Sequence, residues 1–422
     1  MELKTKSIKG MTLALLMLIA AMAGCIGTED ETTEEAEEEK AAFLDASDAG
    51  YTYASDVDNH RSLMQDLCDI KTAASDSNWD EAKNIYTNGK NAEKSDGSYR
   101  TLAGFAAAAG KNHNYDAFYG ADGSIGAHIM AAMDGTGDFA GASDTVRYQG
   151  IAKLTANMGM VGYTIHELNA AVAKADAGNT DNDSGAPHNW DEGWAFFHGP
   201  DEHWACSPAY TMKKRAADYG TETNGVSNAL AASEQAMVDG LAALQAGDEA
   251  GYDAATETVI KNIIITYSQA TLKYTMKMDN NESAEKYQAE GYAFWKTMEA
   301  YAAPYTDGCY NMQVHKVFMM GDIDASACDA FIWTNGSMDA SGTNDTCYNT
   351  VTHQVSGDVS SEAECDGYSS QTFMDMYGAQ KINEIVNLSD ASKRGTSYDV
   401  APHLAMVWAH YGISEAEIGT YQ

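Results

Sequence analysis

The sequence predicts a mainly α-helical fold: tandem helical hairpins in a bundle-like body, followed by a loop-rich, disulfide-braced C-terminal part. Three observations carry that expectation. First, an aromatic motif recurs, as Asn189-Trp190-Asp191-Glu192-Gly193-Trp194-Ala195-Phe196-Phe197 and as Glu290-Gly291-Tyr292-Ala293-Phe294-Trp295, with a weaker copy in Asn78-Trp79-Asp80-Glu81-Ala82 and Tyr86. Each copy sits near the head of an amphipathic segment, with its acid read into the first helical turn, and such repetition marks a repeated helical hairpin. Second, Ile151, Leu154, Met158, Val161, Ile165, Leu168 and Val172 recur in steps of three and four, the core-facing stripe of a helix. Third, four of the seven cysteines, Cys309, Cys328, Cys347 and Cys365, crowd into one stretch of little periodicity.

Residues 1–24 read as a lipoprotein signal peptide. Lys4, Lys6 and Lys9 precede the apolar run Met11 to Met22, and Met22-Ala23-Gly24-Cys25 is a lipobox that predicts lipidation of Cys25. The run is too short for an ordinary transmembrane span. Residues 25–44 form an acidic linker, too polar to build a core. The helical body occupies 45–305. It starts with a hairpin over 45–74 and 79–92, broken at Ser77-Asn78, and continues through loops and short helices to 143. Helices are then expected over 144–175, the central motif, 204–219, 226–246 (ended by Gly247), 253–278 and 283–302 (stopped by Pro304). Residues 306–422 hold the Cys-rich loops and helices over 371–390 and 402–411. With Cys25 set aside, Cys68 and Cys206 join the four clustered cysteines, and an even count outside the cytoplasm predicts up to three disulfides, their pairing left open. Asn335-Gly336-Ser337, Asn344-Asp345-Thr346 and Asn387-Leu388-Ser389 are glycosylation acceptors by pattern.

A formal net charge of −36 repels a phosphate backbone, so nucleic acid is not an expected partner; it suits a saline exterior or the attraction of cations. The sequence contains no Gly-x-Ser-x-Gly elbow, no His-Glu-x-x-His and no Cys-x-x-Cys. Gly104 to Lys111 fails as a phosphate loop, because Asn112 stands where Ser or Thr belongs. Asp181, Asp183 and Glu192 match three calcium-loop positions, but Ala186 falls where the sharp turn needs glycine. Carboxylates, phenols and imidazoles remain, the donors of a hard or borderline cation. The motif acids have two readings. A first-turn carboxylate caps a helix and suits its dipole; alternatively, the glutamates meet around a ligand at a pseudo-symmetric centre. Aligning 151–168 with 259–276 pairs His166 with Tyr274, and the following helices pair Glu192 with Glu290. These four form a candidate metal set. Against it, His166 reads equally as a packing residue at a helix edge, and Tyr274 as one of a core stripe with Ile260, Ile263, Tyr267 and Ala270. Lys213-Lys214-Arg215 is either a solvated helix face or an anion holder.

Ile85-Tyr86-Thr87-Asn88-Gly89-Lys90-Asn91, Arg100-Thr101-Leu102, Asp191-Glu192-Gly193-Trp194-Ala195, Lys214-Arg215-Ala216 and Glu290-Gly291-Tyr292-Ala293-Phe294-Trp295 together resemble the low-iron-inducible periplasmic (Fea1-like) proteins. These are cell-surface proteins of algae and diatoms tied to iron assimilation, among them the phytotransferrins. The resemblance spans residues 50–305 and implies binding of ferric iron, with carbonate as companion anion; it supplies no settled ligand list. Carbonate needs a nearby cation, for which the planar fork of Arg215 is the candidate. The lipobox departs from an algal secretion signal and points to a prokaryotic surface. The expected protein is therefore a binding protein rather than an enzyme, extracytoplasmic and lipid-anchored to the cell membrane. It would bind ferric iron and pass it to a membrane transporter or reductase. Two alternatives are a helical carboxylate-metal hydrolase or oxidase with an open metal position, and a structural or adhesive surface protein in which each motif glutamate is a cap.

Overall fold

The computed structural model describes residues 48–108, 111, 114–311, 316–321, 323, 325–328, 331–334, 346–351, 355–356, 361–368 and 371–422. The signal peptide, Cys25, the acidic linker and the acceptor asparagines Asn335 and Asn344 lie outside the described residues. The chain forms two compact units. One runs to Ala270 and includes Gly419–Gln422, and the other is Thr271–Ile418. The compositional change near residue 305 falls inside the second.

The first unit is a helical assembly: α1 (Asp58–Ser75), α2 (Trp79–Asn88), α3 (Leu102–Ala106), α4 (Asn114–Tyr119), α5 (Ser124–Asp134), α6 (Asp144–Lys153), α7 (Met160–Asp176), α8 (Ala186–Phe197), α9 (Pro208–Tyr219) and α10 (Asn228–Ala246). A two-residue hairpin, β1 (Glu222–Thr223) with β2 (Val226–Ser227), precedes α10, and α11 (Glu249–Met276) contains the division between the units. The break between α1 and α2 falls where expected. Ser77 takes a positive φ of 55°, and the Asn78 side chain accepts a hydrogen bond from Glu81 N at 3.3 Å. In this weak copy of the motif the residues do cap a helix.

Two helical expectations are corrected. Residues 48–57 are not the start of α1; a tight turn over Asp48–Tyr51 leads into a non-helical stretch, because Ala54 N and Ser55 N donate to the Asp191 carboxylate instead of to a helical carbonyl. The helix expected over 144–175 is divided by a π turn, Leu154–Gly159. Asn157 in that turn donates to Lys153 O and accepts from Tyr267 Oη at 2.9 Å and Thr211 Oγ1 at 3.0 Å. A buried side-chain knot thus occupies the widened turn, and the stripe from Ile151 to Leu168 stays buried.

α7 and α8 pack closely, and the motif glycine explains how. A Cβ on Gly193 would come within 3.1 Å of Leu168 Cδ2. In the second unit, Gly291 of α12 (Ala284–Ala302) differs: its Cβ position lies 3.3 Å from Val386 Cγ1 and at an ordinary contact distance, 3.7 Å, from Tyr274 Cβ of α11. The close approach to the preceding helix is thus a feature of Gly193 and the first hairpin.

Cys68 of α1 bonds to Cys206, 138 residues on, just before α9. Opening a loop of that length is expected to lower stability by about 2–5 kcal/mol, so a Cys68→Ser/Cys206→Ser variant should denature at lower urea concentration. An unchanged midpoint would remove the tie from the stability account.

The second unit continues past α12 into short antiparallel strands, in sheet orders β4-β3-β8 and β5-β6-β7: β3 (Asp307–Asn311), β4 (Lys316–Gly321), β5 (Phe331–Thr334), β6 (Thr346–Asn349), β7 (Val355–Ser356) and β8 (Gln371–Met374). Cys309–Cys328 and Cys347–Cys365 brace them, and Phe331 packs with these cysteines in one small core. The stapled region is therefore partly sheet, where composition predicts loops. The start of the helix expected over 371–390 is instead strand β8, paired with β3, and helices follow over Tyr377–Val386 and Ala401–His410. Among the described residues no helix is long and apolar enough to cross a membrane.

Candidate metal centre

The site begins with where α8 starts. Gly185 precedes it and Pro187 takes a first-turn position, where a missing N–H costs nothing. The helix therefore opens at Ala186, and Glu192 is its seventh residue; Glu290 is likewise the seventh residue of α12. Neither glutamate is in a first turn, so the capping explanation fails for both. The early start also makes His188 helical, one turn before Glu192 on the same face.

Four donors converge in the first unit. His60 Nε2 and His188 Nε2 each lie 3.2 Å from the same Oε1 of Glu192. Glu167 of α7 hydrogen-bonds to Glu192 and accepts from Asn189 Nδ2. His166, beside it, has Nε2 3.9 Å from Glu167 Oε1. An aromatic group encloses the cluster: Phe196 and Phe105 meet the His60 ring at 5.5 and 5.9 Å, and Tyr163 packs on both phenylalanines. The motif aromatic Phe196 thereby covers the His60 side of the cluster, while the His188 and Glu192 side chains stay 25% and 14% exposed.

Burial decides the protonation. Burial and the neighbouring Glu192 charge push the Glu167 carboxyl well above its usual range. Burial acts the same way on Glu192, but the His188 hydrogen bond and the two imidazoles outweigh it and draw Glu192 down to about 2. Glu167 thus keeps a proton and donates it to ionised Glu192. Burial lowers His60 to about 4, with Arg100 adding to the effect, so at neutral pH His60 is an uncharged N–H donor. Its Nδ1 and the Arg100 Nε are buried without a hydrogen-bond partner among the described residues.

The chain matches the low iron-inducible periplasmic protein (Fea1) family over residues 32–318. It belongs to that family. No curated protein and no solved structure matches it. As a family of periplasmic proteins induced at low iron, it directs attention to this cluster. Among the described residues no three His, Cys, Asp or Glu side chains stand ready as a metal-ligand group. The four donors bond to one another, and a proton sits between the carboxylates. Two imidazoles and two carboxylates in one water-poor spot nevertheless fit a hard or borderline cation, which could replace that proton.

Of the sequence-derived residues, Glu192 is one of the four donors, and His166 lies beside them without joining the set. Tyr274 and Glu290 belong to the second unit, where Tyr274 stacks on Phe294 at 5.4 Å and both residues are buried. Arg215 pairs with Asp218 at 2.8 Å and lies beside Tyr267. Two cations reach the cluster: Arg100, within the family-like stretch Arg100-Thr101-Leu102, acts on His60, and Lys111 acts on Glu167. His60, Glu167, His188 and Arg100 are the residues the sequence reading missed. The four-residue spacing of His188 and Glu192 was the available signal, hidden by Pro187, which reads as the end of a loop.

Proposed function

We propose that this low iron-inducible protein is a surface iron-binding protein that holds ferric iron at Glu192, Glu167, His60 and His188. The buried Glu167–Glu192 pair carries the reading. Two adjacent carboxylates in a desolvated site oppose folding, and a purely structural helix contact would be served better by apolar residues. Arg100 is better placed than Arg215 to hold a companion anion such as carbonate. The enclosure by Phe105, Tyr163 and Phe196 favours holding a cation over turnover at an open position, and so favours binding over a carboxylate-metal enzyme. Glu290 and Tyr274 mark the corresponding place in the second hairpin, and a second ligand set there is part of the proposal. Metal analysis of protein purified without chelators, with and without bicarbonate, tests the reading. Iron recovered at one or two equivalents supports it, and metal-free protein that also fails to take up ferric iron refutes it.

Lipid anchoring at Cys25 belongs to the same proposal, as does delivery to a membrane transporter or reductase. Cys25→Ser is expected to move the protein from the membrane to the soluble fraction, because acyl chains would supply the attachment. Membrane association that persists in this variant would remove the anchor.

A further inference from the structure

Asp191 is adjacent to Glu192 but faces the non-helical segment 48–57. It accepts hydrogen bonds from Tyr51 Oη (2.7 Å), Ala54 N (2.9 Å), Ser55 N (2.8 Å) and Ser55 Oγ (2.9 Å). Ser55 Oγ also lies 2.8 Å from His188 Nδ1, and the opposite edge of that ring, Nε2, faces Glu192. Ser55 is buried and Asp191 is fully so. The same segment is pinned at its other end, where Arg61 grips Asp48 through Nε and Nη2, both at 2.6 Å.

Counting protons fixes the ring. A carboxylate receiving three other donors is an acceptor, so the single hydroxyl hydrogen of Ser55 goes to Asp191. The Ser55 oxygen can then only accept from His188, which places a hydrogen on Nδ1. We propose that Ser55 and Asp191 are positioning residues of the metal site: they take the Nδ1–H of His188 and turn Nε2 toward Glu192, where an entering metal ion takes the place of the Nε2 hydrogen that Glu192 accepts. This rests on the proposed metal site and adds its outer layer, which no motif reveals. Histidines that bind metals commonly donate their second ring N–H in this manner, which fixes both ring orientation and tautomer. The second hairpin has Ala289 where Asp191 stands, so the device belongs to the first hairpin alone.

The test uses the full mature chain labelled with 15N-histidine. The His188 ring, assigned by its disappearance in His188→Gln, is read in the metal-free protein, and affinity is measured with ferric nitrilotriacetate. Ser55→Ala is expected to lose the fixed Nδ1–H signature and to weaken iron binding by about 10–100-fold. An unchanged ring signature in Ser55→Ala overturns the proposal, as does an unchanged affinity in that variant when Glu192→Gln is impaired. Unchanged affinity in both variants overturns the metal-site reading itself.

Discussion

Glu192→Gln is expected to weaken ferric iron binding more than any other single substitution in this chain. Glu192 Oε1 is the point on which both imidazoles converge, and its ionised carboxylate supplies the negative charge between them. Loss of an outer-layer partner costs a metal site about 10–100-fold, so loss of the central charge should cost at least roughly 100-fold, near 2.7 kcal/mol. Glutamine keeps the volume and can still accept from an imidazole N–H, so the melting temperature should change little. Glu290→Gln provides the comparison. If it reduces iron stoichiometry without touching the first site, the second hairpin carries its own ligands. If Glu192→Gln binds iron as the parent does, the cluster is architectural.

Helices and their pairing were legible because they are written locally. The apolar stripe from Ile151 to Leu168 marks the core face of its helix and stays buried in the structure. The π turn at Leu154–Gly159 was not legible, since its bonds run from Asn157 to Thr211 and Tyr267, far along the chain. The site was partly legible for the same reason. Glu192 was found by repetition within the sequence, whereas His60 reaches Glu192 from 132 positions away (192 − 60), and no local pattern encodes that approach. The non-helical segment 48–57 was mistaken for helix because its backbone donors are claimed by Asp191, a long-range partner. Repetition misled once. It put Glu192 and Glu290 in first turns by analogy with Glu81, although only the Asn78–Glu81 copy caps its helix.

Iron binding is also expected to weaken as the pH falls, in two stages. Glu167 holds its proton well above the usual carboxylate range, and a metal ion entering the cluster must displace it. Below the folded pKa of Glu167, affinity should therefore fall about tenfold per pH unit, and above it the affinity should be level. His60 is neutral down to about 4, so it competes only below that value and steepens the slope there. In the metal-free protein the two groups act in opposite directions. The raised Glu167 pKa gives stability that is full below the unfolded value of 4.5 and is lost as pH rises through the folded one. The lowered His60 pKa gives stability that is full above 6.5 and is lost as pH falls toward 4, about 3 kcal/mol for that interval. Competition with nitrilotriacetate between pH 4.5 and 8, corrected for protonation of the chelator, measures the coupling. Glu167→Gln removes the displaced proton and should flatten the dependence above pH 4.5 while lowering affinity throughout. A parent protein whose corrected affinity is level across that range would show that iron does not meet Glu167.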